Sequence, residues 1–383
     1  MLQSFIIYSI FGFSLFFFGQ ISYLRENIYK KLKRYNSFWT WDIILVFLIF
    51  AFVSGVRWKV GVDYIEYLNN YLSVQKSGLT TIDKESGFEY LTLILAKLNI
   101  HFSFYFGFLA FLQIFFIYRA FKDERYLYPF IGIVIVFGSE YINWMNGIRQ
   151  TLAATMFVYS IQFINKRKFF HFSVIILLAS LMHTSALILF LFYFIPQKDY
   201  FKNRILVFVL IAITMYFGNN NSWIYSLKNL GSILDLLNYE NISTNLDSII
   251  EEKQIRLFGP RRFVLLFITI LIILFSKKLK SYYKNTLFLS YYNYSILGFL
   301  LYNLLQNTHH LFIRPLYYLI IFNVIVSSYL LFYLKTNFRT YWLSFILALI
   351  LCLSYLPISI VAEYEKGNND FTNYKFYWDY YKF

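Results

Sequence analysis

Long apolar runs alternate with short basic loops along the chain. The runs occupy 3–20, 41–56, 101–119, 127–142, 147–164, 205–218, 263–276, 286–305, 311–334 and 341–360. Each approaches the ~20 residues a helix needs to cross the ~30 Å hydrocarbon core of a bilayer. The runs are continuous, not alternating, which argues against transmembrane strands. The pattern predicts an all-α, polytopic integral membrane protein with about 10 transmembrane helices. Runs 205–218 and 263–276 are the shortest of the set. Met1 to Gln20 lacks a basic leader and a small-residue cleavage site, so it reads as a first span and not a signal peptide.

Basic residues set the orientation. The loop after the first run carries Arg25, Lys30, Lys31, Lys33 and Arg34, a cytoplasmic signature that puts the N-terminus outside. Further basic loops hold Arg119, Lys122 and Arg125; Lys166 to Lys168; Lys198, Lys202 and Arg204; Lys277, Lys278, Lys280 and Lys284; and Lys335 with Arg339. Segment 169–195 breaks the parity, because it is apolar and both its flanking loops are basic. It is too short for two crossings, which need roughly 40 residues. A re-entrant helical hairpin with its tip near Met182 to Ser185 satisfies both loops. A single long tilted span is the alternative. The resulting reading is one membrane domain over 1–383. Its extracytoplasmic parts are segments 57–100 and 219–262 and an aromatic tail, 361–383, with the C-terminus outside.

Composition agrees with the pattern. Only 14% of the 383 residues are charged while 59% are hydrophobic, against about 25% charged in soluble domains. The excess of 35 Lys and Arg over 20 Asp and Glu belongs to the cytoplasmic loops, so nucleic acid is not the expected partner. A phosphorylated or lipid-linked substrate would also use cations. The single cysteine, Cys352, excludes a disulfide framework and a cysteine metal site. No Walker loop, nucleophile elbow, zinc-protease helix or dinucleotide-binding glycine pattern is present.

Polar residues at span ends are costly and therefore candidates for function. Four clusters stand out, and the topology places all four outside. The first runs from Ser54 to Tyr67, where Gly55 and Gly61 permit turns that bring Arg57 near Asp63; an interfacial anchor of Arg, Trp and Lys is the plain alternative. The second runs from Glu140 to Gln150. Arg149 and Gln150 fall in the first turn of a helix, where free N–H groups add to an arginine's grip on phosphate. The third is His183 with Thr184 and Ser185, either a hydrogen-bonded core histidine or a general base. The fourth is Asn307 to His310 with Arg314, a cation about one turn inside a span. Two adjacent histidines point apart and do not make a metal site.

The residues Arg57-Trp58-Lys59-Val60-Gly61-Val62-Asp63-Tyr64 with Tyr67 resemble the R-x-x-x-G-x-D-x-x-x-Y signature of the EpsG family. These are Wzy-like polymerases of bacterial exopolysaccharide, capsule and O-antigen. Glu85-Ser86-Gly87-Phe88 resembles that family's E-x-G-[FY]. Asn146 to Ala153 resembles its R-Q-x-[IL]-A helix start, and His183 to Leu187 its H-x-S-A-[LI] element. The matches run in order over about 50–190; the second half resembles the family only in span pattern.

The resemblance implies a glycosyltransferase of the bacterial plasma membrane. It would join oligosaccharide repeat units carried on undecaprenyl pyrophosphate, at the outer leaflet, without metal, cofactor or nucleotide sugar. A flippase that delivers the units and a chain-length regulator are the implied partner proteins. Arg149 and Arg57, with Arg314, would stabilise the departing pyrophosphate. His183, then Asp63, would deprotonate or orient the acceptor hydroxyl. Gln150, Tyr67, Glu85 and Ser185 would contact sugar or shape the loops. Two rival readings are a flippase of the same lipid-linked unit, which should show internal two-fold similarity, and a membrane O-acyltransferase with His183 as base.

Overall fold

The computed structural model describes residues 1–33, 37–78, 85–138, 140–220, 259–308, 310–365 and 372–379. Most of the predicted segment 219–262 and much of the tail therefore lie outside the described residues. The helices are α1 (Leu2–Lys31), α2 (Trp41–Gly55), α3 (Tyr64–Ser77), α4 (Ser86–Lys97), α5 (Phe102–Ala120), α6 (Tyr128–Phe137), α7 (Glu140–Asn146), α8 (Ile148–Asn165), α9 (Phe169–Met182), α10 (Leu191–Phe194) and α11 (Arg204–Asn220). They continue as α12 (Pro260–Tyr282), α13 (Phe288–Leu305), α14 (His310–Ile313), α15 (Tyr317–Thr336) and α16 (Phe338–Glu365). Among the described residues the one isolated β-bridge joins Arg57 to Phe376.

The faces of the helices show which solvent they meet. In α1 the outward stripe is Ile6, Ile10, Phe13 and Phe17, all exposed. Its inward face carries Ser4, Tyr8, Gly12, Gly19 and Ser22. Apolar residues outside and small or polar residues inside invert the soluble pattern and suit lipid. The last helix repeats this, with Leu343, Ile346, Leu347 and Ile350 exposed and Ala348, Cys352 and Ser359 buried. The protein is a helical membrane protein.

By length and composition fewer spans stand out than the ten or so expected. Among the described residues four helices are long and apolar enough to cross: α1, α5, Arg314–Thr336 and α16. A fifth arises if α6 and α7, bent by 65° to each other, count as one broken span. Other runs fold as helices that are shorter or more polar than these. Helix α2 has 15 residues, reaching about 22 Å. Helix α13 dilutes its apolar residues with Tyr291, Tyr292, Asn293 and Asn303. Run 127–142 is not a single helix, since its second half turns aside as α7.

Segment 169–195 folds back on itself. Phe169, at the start of α9, packs its ring 4.9 Å from Tyr193, and Phe172 lies 5.3 Å from the same ring. The break falls at His183, whose extended backbone separates α9 from the 3-10 turn Thr184–Phe190. The two arms therefore begin and end together, which is the hairpin alternative.

The molecule has two chemically distinct ends. Near Gln20 and Ser22, the C-terminal half of α1 meets Lys335 and Arg125, and Arg125 also donates to Ser37 O. At Ser4, roughly 27 Å away along the helix, α1 meets the C-terminal tail. Ser4 donates to Asn373, and the Tyr374 hydroxyl donates to Val53 O. The tail pairs with the loop after α2 through Trp58 N–H to Lys375 O and Tyr377 N–H to Val56 O. Helices α2 and α5 approach closely because Gly107 lies against Ala51 O, where a Cβ would sit 2.8 Å from the oxygen. Amphipathic α3 and α4 form a cap over α5, holding a second core of Tyr64, Tyr71, Phe88 and Tyr105.

Candidate functional site

Three segments distant in sequence meet beneath this cap. Glu85 caps the start of α4, Arg149 sits in the first turn of α8, and His183 marks the tip of the hairpin. One Glu85 oxygen lies 2.5 Å from Arg149 Nη1. The other is hydrogen-bonded to His183 Nδ1. The carboxylate is sheltered, at 12% side-chain exposure, whereas the arginine reaches open space at 40%. Burial alone would raise the Glu85 pKa. The His183 hydrogen bond and charge, with the charge of Arg149, outweigh it and hold the carboxyl below its usual value. The Arg149 guanidinium also lies over the rings of Tyr67 and Phe88, at 5.8 and 5.7 Å. Carboxylate and aromatic faces together fix its direction.

Arg149 and His183 line a cavity of about 420 Å3 with Asp63, Tyr67, Asn146, Gln150 and Arg314. Gln150 donates to Arg314 O at 2.5 Å, tying α8 to the 3-10 turn Arg314–Leu316. The Arg314 side chain is exposed, and no described carboxylate lies within ion-pair distance of it. The Asp63 pKa is raised by burial and by the neighbouring Glu66, against the pull of Arg314 and Arg149. Asp63 is placed by its backbone N–H, which donates to Asn146 Oδ1 at 3.0 Å. Gly61, at φ +97°, makes the turn that allows this.

Two residues expected at the site stand apart from it. Arg57 is fully buried and does not border the cavity. Its guanidinium donates to the carbonyls of Ser54, Val60 and Met145 and lies between the rings of Tyr64 and Phe106. Every donor direction it uses leads to protein, so it fastens the loop after α2 to α7 rather than facing a ligand. Ser185 is bonded to the Tyr318 hydroxyl at 2.9 Å and does not line the cavity. Asn143, Asn146 and Tyr317 line it without having been singled out. The two asparagines fall inside the Glu140 to Gln150 cluster, so the cluster was visible while its inward side chains were not. Among the described residues no three His, Cys, Asp or Glu side chains gather as metal ligands would.

These features define a class: a helical membrane protein with one cavity bordered by two arginines and a carboxylate-held imidazole. The chain belongs to the EpsG family, whose sequence model matches residues 40–376 and so takes in every candidate site residue. Membership points to a polymerase-like role in polysaccharide biosynthesis. Neither a curated protein nor a solved structure matches the chain.

Proposed function

We propose that the protein polymerises oligosaccharide repeat units carried on undecaprenyl pyrophosphate, at the outer leaflet of the plasma membrane. The observation that carries this reading is the meeting of Glu85, Arg149 and His183, from three separate family-like motifs, at a cavity that also holds Arg314. Their end of the molecule is opposite the one where the basic loops gather, which supports an outward-facing site.

Arg149 and Arg314 bind the donor's pyrophosphate and stabilise the charge that grows on it as it leaves. Glu85 holds His183 by Nδ1, leaving Nε2 as the basic nitrogen, the arrangement by which a carboxylate orients a general base. Nε2 takes the proton of an acceptor hydroxyl, and that oxygen forms a bond to the donor's anomeric carbon. The bond from that carbon to the pyrophosphate oxygen breaks, and the lipid pyrophosphate departs with the electron pair. Asp63 faces the same cavity and steadies acceptor hydroxyls. Arg57 keeps the loop that carries Asp63 in place.

Glycan electrophoresis of a strain lacking the protein tests this. The expected result is a ladder that collapses to a single repeat unit, with lipid-linked units accumulating outside the membrane. A ladder of normal length would refute the reading. Units accumulating inside would indicate transport, and an unchanged ladder lacking acyl groups would indicate acyl transfer.

A further inference from the structure

Joining two glycans requires two subsites, and the cationic cavity accounts for one. A second, smaller cavity of about 160 Å3 adjoins it, and the two share Asn143, Ile313 and Tyr317 as a common wall. Its sides come from α6, α7, α12, α13, α14, α15 and α16. Most lining residues are apolar, but Glu140, Asn143, Asn323 and Ser327 also border it, with three tyrosines, Tyr302, Tyr317 and Tyr355. No described lysine or arginine lines it.

That composition discriminates between occupants. A pyrophosphate would meet the Glu140 carboxylate with no cation beside it, so it belongs with Arg149 and Arg314 instead. A hydrocarbon tail would leave the polar groups of Glu140, Asn143, Asn323 and Ser327 facing apolar groups, which is costly. Glu140 accepts a hydrogen bond from the Trp144 indole. Its carboxyl group has further acceptor sites beside the one Trp144 uses, and it borders the cavity. A neutral sugar supplies donors through its hydroxyls and offers its apolar ring face to tyrosines. The donor's first sugar is bonded to the pyrophosphate and stays with the cations. The acceptor's reacting end carries no phosphate.

We propose that this second cavity is the acceptor subsite, which takes the terminal neutral sugar of the incoming glycan with Glu140 accepting hydrogen bonds from its hydroxyls. The proposal rests on the polymerase reading and adds a place and a chemistry for the second substrate.

The test uses the full chain in lipid nanodiscs. Donor units linked to undecaprenyl pyrophosphate are extracted from a deletion strain, and the free oligosaccharide released from them by mild acid serves as acceptor. Glu140→Gln should raise the acceptor KM about tenfold, as expected for loss of a hydrogen-bond acceptor, while kcat stays within twofold. Binding of undecaprenyl pyrophosphate should be unchanged, which also shows that the variant is folded. Ser327→Leu, which fills the cavity and keeps Glu140, should raise the same KM. An unchanged acceptor KM in both variants overturns the proposal, as does weakened lipid pyrophosphate binding in Glu140→Gln. Transfer that fails with the unaltered chain removes the polymerase reading, and this proposal with it.

Discussion

Arg57 and Arg149 occupy comparable places in the sequence, each at the end of an apolar run and each within a motif that resembles the family's, yet their surroundings are opposite. Arg57 is sealed among three carbonyls and two aromatic rings. Arg149 pairs with the Glu85 carboxylate, shares a hydrogen bond with Tyr67 and borders an open cavity. A guanidinium has five N–H donors in a fixed fork. Where protein oxygens consume them, the residue becomes a fastening; where they are left over, it becomes a ligand for an anion. The motif marks both arginines without distinguishing the roles. The destination of the donors does.

The largest expected effect separates the two on activity. Arg149→Ala should reduce polymer formation by roughly 10²–10³-fold, the scale for losing one preorganised group that stabilises transition-state charge. The amount of folded protein in the membrane should hardly change. Arg149→Lys should recover little, since an ammonium cannot engage a carboxylate and a phosphate with one planar fork. Quantitative glycan gels with membrane immunoblots check both points. Normal chain lengths in the alanine variant would remove Arg149 from the chemistry.

The reciprocal experiment concerns stability. Arg57→Ala leaves the Ser54, Val60 and Met145 carbonyls without their donor. Buried groups deprived of a partner cost about 1–3 kcal/mol each, so a loss of a few kcal/mol is expected. It should appear as a lower Tm in detergent and less protein in the membrane. Turnover per folded molecule should stay near that of the unaltered chain. A variant that folds normally and has lost turnover would break the comparison, because Arg57 would then act on substrate.

How much of this was legible in the sequence follows from the same contrast. The helical membrane class was legible because lipid demands continuous apolar runs, and the faces of α1 and α16 confirm it. The number of spans was not, because helix length and bending depend on packing. The 65° turn into α7 follows Gly138-Ser139-Glu140, a short interruption that the reading of 127–142 as one apolar run passed over. The hairpin at 169–195 was one of two alternatives raised by basic loops on both flanks, and ring contacts across its arms decide it. At the site, Arg149 and His183 were named from local chemistry. Their link through Glu85 was not, since Glu85 lies 98 positions from His183. Arg57 was given to the pyrophosphate for the converse reason: its carbonyl partner Met145 is 88 positions away and invisible in the local pattern. Glu140 stood in the second cluster without a role of its own because the residues that make its cavity lie on six other helices.

Two carboxyls of the site should answer pH in opposite senses. The Glu85 pKa is held below its usual value in the folded protein. Its contribution to stability is therefore full above the unfolded value, near 4.3, and is lost as pH falls through the lower folded value. The Asp63 pKa is raised. Its contribution is full below the unfolded value, near 3.9, and is lost as pH rises through the folded value, so at neutral pH the ionised group is held at a cost. Glu85→Gln should lower the Tm at pH 7, and the deficit should shrink only below the usual carboxylate range. Asp63→Asn should raise the Tm slightly at pH 7. Unfolding curves in detergent from pH 7 downward check the signs. A Glu85→Gln deficit that persisted unchanged at the acid end would mean that packing, not charge, holds the centre together.

The smallest effect lies at the joint between the two arginines' territories. Gly61 follows Val60, whose carbonyl receives Arg57, and precedes Asp63, whose N–H reaches Asn146. At φ +97° it occupies a region that L-residues enter at a cost of about 1 kcal/mol or more. An added Cβ would meet its nearest atom, Asn146 Oδ1, at 3.4 Å, an ordinary contact. The penalty of Gly61→Ala is therefore backbone strain and not a clash. It should lower the Tm by a few degrees and turnover by a few-fold, because the relaxed turn draws Asp63 away from Asn146 while Arg57 keeps its carbonyls. Gly61→Asn, which tolerates positive φ better, should recover part of both. Equal losses in the two variants would show that the side chain, and not the backbone angle, is what the turn rejects.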